Sequence, residues 1–300
     1  MRDVISMRDF SKKEILTVLD LADDVKRSIH DPTSHSDFKK KYGMDLEHLL
    51  ENNLIASLFL ENSTRTHYSF NTAVQKAGGK VQGFPTPDYT SLKKGETWAH
   101  TVAMFAGWGY HGIVMRSTIE GLPRWTKEIL QLTHHHLQRQ NTELGLPSTY
   151  HAPIVINGGD GRNQHPTQCF LDLFTMREIA RANGKDLDGL DLALMNDLKY
   201  GRTIASLLSV AHHFDWRIHF AHPQRFGPQP SRLEDLARRG VRYTDHEEKF
   251  KEAMAASFIA YHSRPQKERV GKGEDLISIK ELGQINAATY QALGINAPYL

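Results

Sequence analysis

The sequence predicts an α/β protein built from two doubly wound domains, each a mainly parallel sheet with helices on both faces. Short apolar runs alternate with amphipathic stretches along the whole chain, the pattern that strand–helix–strand units leave in a sequence. A length of 300 residues exceeds what one hydrophobic core usually serves. A polar stretch, Ala182-Asn183-Gly184-Lys185-Asp186, divides the series into two groups and marks the hinge.

In order, residues 11–29 place Ile15, Val18, Leu19, Leu21 and Ala22 on one face behind Ser11, an N-cap residue, and predict an amphipathic helix. Strands are predicted at 54–60, 80–84, 112–116 and 153–157, with helical patterns at 64–78 and 95–108 between them. A further helix follows His165-Pro166, since proline suits a first helical position. Beyond the hinge, strands at 190–196, 216–221, 241–244 and 257–261 alternate with helices such as 202–214 and 231–239.

Composition excludes several classes. Lys and Arg total 37 against 35 Asp and Glu, a formal charge of +2, so bulk electrostatics favour neither a nucleic-acid nor a membrane partner. The one cysteine, Cys169, excludes an internal disulfide framework and suits a reducing compartment. The charged N-terminus lacks a signal-peptide apolar segment, and no run is long enough to span a bilayer, so a cytoplasmic globular protein is expected.

Open parallel sheets bind ligands at the carboxyl ends of their strands, which selects the loops to inspect. After the first strand, Glu61-Asn62-Ser63-Thr64-Arg65-Thr66 places hydroxyls and an arginine where a helix begins. Free N–H groups, the positive end of the helix dipole and the guanidinium suit a phosphate; a helix cap beside a solvated arginine is the alternative. Arg116 follows the strand GIVM, and Gly158-Gly159-Asp160-Gly161 leads to His165 and Gln168 at another helix start. In the second half, Leu198 to Thr203 carries Arg202, and Arg264-Pro265-Gln266-Lys267-Glu268-Arg269 follows the last strand. Arginines at two strand ends of one sheet suit a carboxylate clamp or simply surface charge. No G-x-G-x-x-G follows the strand at 190–196, so a dinucleotide site lacks its usual signature.

Ser63-Thr64-Arg65-Thr66, SLKKGET at 91–97, VMR at 114–116, GDGRNQHPTQ at 159–168, DLKYGRT at 197–203 and RPQKER at 264–269 occur in this order. Together they resemble the aspartate and ornithine carbamoyltransferase family, nearest to its aspartate carbamoyltransferase catalytic chain. The His-Cys-Leu-Pro motif of the ornithine branch is absent. The resemblance implies an active site in the cleft between a carbamoyl-phosphate-binding domain (1–168) and an aspartate-binding domain (185–300), joined by a connecting helix and hinge (169–184).

It implies transfer of the carbamoyl group from carbamoyl phosphate to L-aspartate, giving N-carbamoyl-L-aspartate and phosphate in pyrimidine synthesis, without metal or organic cofactor. Carried over by motif, Ser63, Thr64, Arg65, Thr66, Arg116, His165 and Gln168 hold carbamoyl phosphate, with Arg65, Thr66, Lys94, Arg116 and His165 as the catalytic set. Ser91, Lys94, Arg202, Arg264 and Gln266 bind aspartate, and Glu61 latches the closed domains with Arg202 and Arg269. Because Ser91 and Lys94 belong to a loop that in the family enters a neighbouring subunit, a homotrimer is expected, with a regulatory chain or a dihydroorotase as candidate further partners.

Departures are also legible. His67 and Asn71 stand where the family commonly has arginine and glutamate, and Ser117-Thr118 where it often has His-Pro. The stretch between Gly121 and Pro153 is longer than usual and holds His134-His135-His136, whose side chains diverge on a helix and make a poor metal site. The family's His-Pro-Leu-Pro loop and final helices find no match before Leu300, which reads as a truncated form or a divergent member with apolar surface exposed. A catalytically weak paralogue with an assembly role, or a carbamoyltransferase for another amine, is the alternative function.

Overall fold

The computed structural model describes residues 2–145 and 151–263. The chain divides into two compact units, Met1–Phe170 and Leu171–Leu300. The boundary falls inside a helix, α6 (Pro166–Ala182).

The first unit contains a four-stranded, all-parallel sheet in the order β2-β1-β3-β4, from β1 (Leu54–Phe59), β2 (Lys80–Phe84), β3 (Gly112–Ser117) and β4 (Ile154–Asp160). Alternation along the strands gives the sheet two apolar faces. Ala56, Leu58, Ile113 and Met115 point to one and are fully buried, with Trp98, Val102, Phe105, Leu122 and Leu130 from α4 (Trp98–Gly107) and α5 (Leu122–Glu143) against them. Ile55, Phe59 and Val114 point to the other and meet Phe70 and Val74 of α3 (Thr64–Lys76). Each large apolar side chain buried in this way stabilises the fold by about 1.5–3 kcal/mol.

Within α5, Leu122, Thr126 and Leu130 recur every fourth residue and form its buried stripe, while the Trp98 indole donates to Thr126 Oγ1 at 2.7 Å. The stretch read from sequence only as unusually long is thus mostly one helix of 22 residues. The N-terminus also has a role that strand periodicity did not reveal. Val4 exchanges backbone hydrogen bonds with Val155 and Asn157, both 2.8 Å, and covers the edge of β4. α1 (Lys12–His30) begins at Ser11 with a capping box, Ser11 Oγ accepting from Glu14 N and Glu14 Oε2 from Ser11 N. Residues 35–42, not singled out in the sequence, form α2 (His35–Tyr42).

The second unit repeats the plan with order β7-β6-β5-β8, from β5 (Asp191–Asn196), β6 (Arg217–Ala221), β7 (Arg242–Asp245) and β8 (Ile259–Ser263), again all parallel. Central β5 is buried from Leu192 to Asn196, whereas edge strand β7 is exposed throughout. Ala193, Met195 and Ala221 pack with Phe250 and Ala253 of α9 (Phe250–Ala255). The helix expected over 202–214 is α-helical only over α7 (Arg202–Val210), then tightens to a 3-10 turn at Ala211–His213. α8 (Pro230–Arg238) completes the set among the described residues.

In each sheet the connections diverge on either side of one strand pair, β1/β3 in the first and β5/β8 in the second. Ligand sites of open α/β sheets form at such switch points.

Candidate active site

β1 delivers the chain to Ser63, whose extended backbone (φ −158°, ψ 93°) turns it into α3. Ser63 occupies the N-cap position, yet its hydroxyl caps nothing and instead donates to Thr66 Oγ1 at 2.9 Å. The first intrahelical bond is His67 N to Ser63 O, 3.0 Å, so the helix itself offers the N–H groups of Thr64, Arg65 and Thr66 no partner. Three N–H groups, the helix dipole, two paired hydroxyls and the exposed Arg65 form a set of donors suited to an anion at a helix end that carries no side-chain cap.

Arg116 lies beside it, paired in register with Phe59. Opposite Arg116 the β3/β4 register shifts, Met115 pairing with Asn157 but Ser117 with Asp160, so β4 accommodates one extra residue at Gly158-Gly159. The guanidinium, 9% exposed, donates to Gly158 O and to Glu61 Oε1, both at 3.2 Å. Glu61, expected as a latch to the second domain, also pairs with Arg116 inside the first unit; its expected partner Arg269 lies outside the described residues.

His165 follows on the loop leaving β4. Its Nδ1 accepts the Gln168 backbone N–H at 3.3 Å, so in the neutral ring the proton sits on Nε2. Asp160 fixes this loop. Its buried carboxylate accepts from Asn157 Nδ2 (3.0 Å), Gln164 N (2.9 Å), Gly121 N (2.9 Å) and Asn163 Nδ2 (2.9 Å). Gly161 is obligatory beside it, because φ is +54° and a Cβ would lie 2.7 Å from Thr118 O. Sequence reading quoted Asp160 in this loop but gave it no role; the signal was an aspartate between glycines, with asparagines at 157 and 163 able to donate to it.

His67 packs inward edge-on against Phe59, ring centroids 5.0 Å apart, and Asn71 Nδ2 is 3.5 Å from its Nε2. A packed imidazole thus stands where the family commonly has arginine, the departure already legible in the sequence. Burial holds the His67 pKa below the ordinary imidazole value of 6.5. The neutral ring's contribution to stability is complete above that value and is lost as pH falls through the lowered pKa.

The structure brings Glu61, Ser63–Thr66, Arg116, His165 and Gln168 to the carboxyl edge of one sheet. Ser91 and Lys94 lie apart, exposed on a 3-10 turn, Ser91–Lys94, that follows β2 and the 95% exposed Tyr89. Arg202, buried at 7% exposure, opens α7 past the end of β5 in the second unit. Arg264, Gln266 and Arg269 lie outside the described residues. No group of three or more His, Cys, Asp or Glu among the described residues is placed to hold a metal ion, and His134, His135 and His136 spread around α5. No helix among them is long and apolar enough to cross a membrane.

Comparison with known proteins identifies the family. The family model described as aspartate/ornithine carbamoyltransferase, carbamoyl-P binding domain, matches residues 2–178. The aspartate carbamoyltransferase catalytic subunit of Thermococcus kodakarensis is 34% identical over 285 residues, 95% of this chain and 79% of that protein. That of Chromobacterium violaceum is 36% identical over 273 residues, 91% of this chain and 76% of its own length. Among solved structures, the catalytic subunit of M. jannaschii aspartate transcarbamoylase superposes with a TM-score of 0.71 at 30% identity, covering 96% of this chain and 79% of that one. Aspartate transcarbamoylase from Trypanosoma cruzi in complex with carbamoyl phosphate and aspartate gives 0.70 at 26% identity, covering 96% and 78%. The chain belongs to the aspartate/ornithine carbamoyltransferase family.

Proposed function

We propose that this chain transfers the carbamoyl group of carbamoyl phosphate to the amino group of L-aspartate. The observation that carries the reading is the anion seat at the start of α3, uncapped and flanked by Arg116 and His165 at the switch point of the first sheet. The aspartate carbamoyltransferases above supply the substrates.

The phosphate lies on the N–H groups of Thr64, Arg65 and Thr66, with the Ser63 and Thr66 hydroxyls and the Arg65 guanidinium around it. His165 Nε2–H and Arg116 polarise the carbamoyl oxygen, and Gln168 holds the carbamoyl nitrogen. The uncharged amine attacks the carbonyl carbon, a C–N bond forms, and negative charge collects on the oxygen that these donors already face. The C–O bond to phosphate then breaks. The leaving dianion remains in the seat, and a phosphate oxygen or solvent takes the proton shed by the amine. Arg202, Arg264 and Gln266 bind the two aspartate carboxylates and place the amine for attack.

The purified chain, given both substrates, is expected to form N-carbamoyl-L-aspartate and phosphate in equal amounts, measured by product assay. Absence of both turnover and carbamoyl phosphate binding would refute the enzyme reading. Turnover with another amine in place of aspartate would reassign the substrate.

The assembly proposed is a homotrimer in the cytoplasm, with Ser91 and Lys94 completing the site of a neighbouring copy. Exposure of their turn and of Tyr89 supports the first part, and the buried free thiol of Cys169 suits a reducing compartment. Lys94→Ala is expected to lower turnover about 10²-fold with little change in melting temperature. Mixing inactive Lys94→Ala and Arg65→Ala chains should restore part of the activity, because some shared sites then receive both native residues. No restoration after verified subunit exchange would place Lys94 in its own chain's site.

A further inference from the structure

We infer that His67 takes up a proton from solvent when a dianion occupies the start of α3, which puts affinity at that seat under pH control. The inference deepens the function proposed above, since it rests on the same seat holding the phosphate group.

His67 is the fourth residue of α3, and its N–H closes the first helical turn on Ser63 O at 3.0 Å. Side chains of a helix lean towards its N-terminus, so the ring lies along the turn whose N–H groups form the seat. It is buried, edge-on to Phe59 and Tyr68 with ring centroids 5.0 and 5.3 Å away. Nδ1 has no hydrogen-bond partner among the described residues. The same is true of Asn71 Oδ1, one helical turn on, and of Ser57 Oγ, on the face of β1 that carries Phe59. Buried polar atoms are normally paired, so three on one helix–sheet interface call for an explanation.

Asn71 supplies the means for His67 to change charge. Its Nδ2 stands 3.5 Å from His67 Nε2, which suits a neutral ring protonated on Nδ1. Turning the amide over presents Oδ1 instead, an acceptor for Nε2–H once both ring nitrogens carry protons. Without an anion, burial holds the ring neutral and the positive end of the helix dipole opposes a charge there. The charged and titratable groups around it add no spare counter-charge: Tyr68 and the exposed Arg65 on α3, and Glu61 beyond β1, which pairs with Arg116 of β3. A bound dianion reverses the balance, because it offsets the dipole and attracts an imidazolium one turn away. Linkage requires the converse. Affinity is flat above the His67 pKa of the occupied protein and rises as pH falls from there towards the lower pKa of the unoccupied one.

Sulfate is the probe, because it remains a dianion throughout the range and cannot itself take up the proton. In the full-length wild-type chain, NMR is expected to show the His67 ring titrating about one pH unit higher in saturating sulfate than without it. Sulfate affinity should correspondingly rise about tenfold between about pH 8 and about pH 5, and His67→Gln should lose most of that rise, the remainder reporting His165. An unmoved His67 titration overturns the inference, as does a rise in affinity that His67→Gln keeps in full. The NMR comparison needs no variant and decides the matter if His67→Gln folds poorly. Failure of sulfate to bind while carbamoyl phosphate binds also overturns the inference, whereas failure of both to bind overturns the seat and the proposed function with it.

Discussion

Arg65→Ala is expected to lower kcat by about 10²–10³-fold, the usual cost of removing one preorganised donor from a site where charge develops. The melting temperature should stay within about 2 °C of wild type, because an exposed substitution costs at most about 0.5 kcal/mol. Arg65 is exposed at the second position of α3 and has no ion-pair partner among the described residues, so the fold does not depend on it. In the function proposed above, its charge is used only when a phosphate occupies the seat. Arg65→Lys should recover part of the loss, since it restores charge without the bidentate fork. Steady-state kinetics beside a thermal melt checks both halves; a large fall in melting temperature would make Arg65 a structural residue.

Arg116→Met should reduce both turnover and stability, and the two effects can be separated. Arg116 pairs with Glu61 at 3.2 Å, with side-chain exposures of 10% and 15%. Removing one partner of so buried a pair costs about 3 kcal/mol, and kcat should fall about 10²-fold. Adding Glu61→Gln removes the charge that Arg116 had balanced. The double variant is expected to regain most of the lost stability in urea unfolding and none of the turnover. Recovery of turnover would mean that Arg116 acts by restraining Glu61 and does not touch the carbamoyl oxygen.

Most of the fold was legible in sequence. The apolar runs that became β1 to β8 are short and bounded by polar loops, a pattern that survives without knowledge of tertiary contacts. β4 ran on through Asp160 because its extra residue at Gly158-Gly159 lets pairing resume beyond the glycines that look like a strand end. α5 was obscured by His134, His135 and His136, which distract from the four-residue spacing of Leu122, Thr126 and Leu130. α7 ended early because helix propensity does not register a final turn tightening into 3-10 geometry.

Motif order nominated the residues of the candidate site, but its supports were not legible. Pairing of Glu61 with Arg116 depends on which strands neighbour one another, a property of the β2-β1-β3-β4 order and not of local pattern. The same holds for the Gly121 N–H that reaches Asp160 from the loop after β3, whereas its other donors, Asn157, Asn163 and Gln164, lie within four residues of it.

The most direct test of the seat at α3 is titration of the full-length protein with a non-hydrolysable phosphonate isostere of carbamoyl phosphate, followed by backbone and arginine side-chain NMR. Binding at one site per chain is expected, with shifts concentrated at Ser63 to Thr66, Arg116, His165 and Gln168, and with loss of binding in Arg65→Ala. Saturable binding that shifts a different region, or that survives intact in Arg65→Ala, would contradict it.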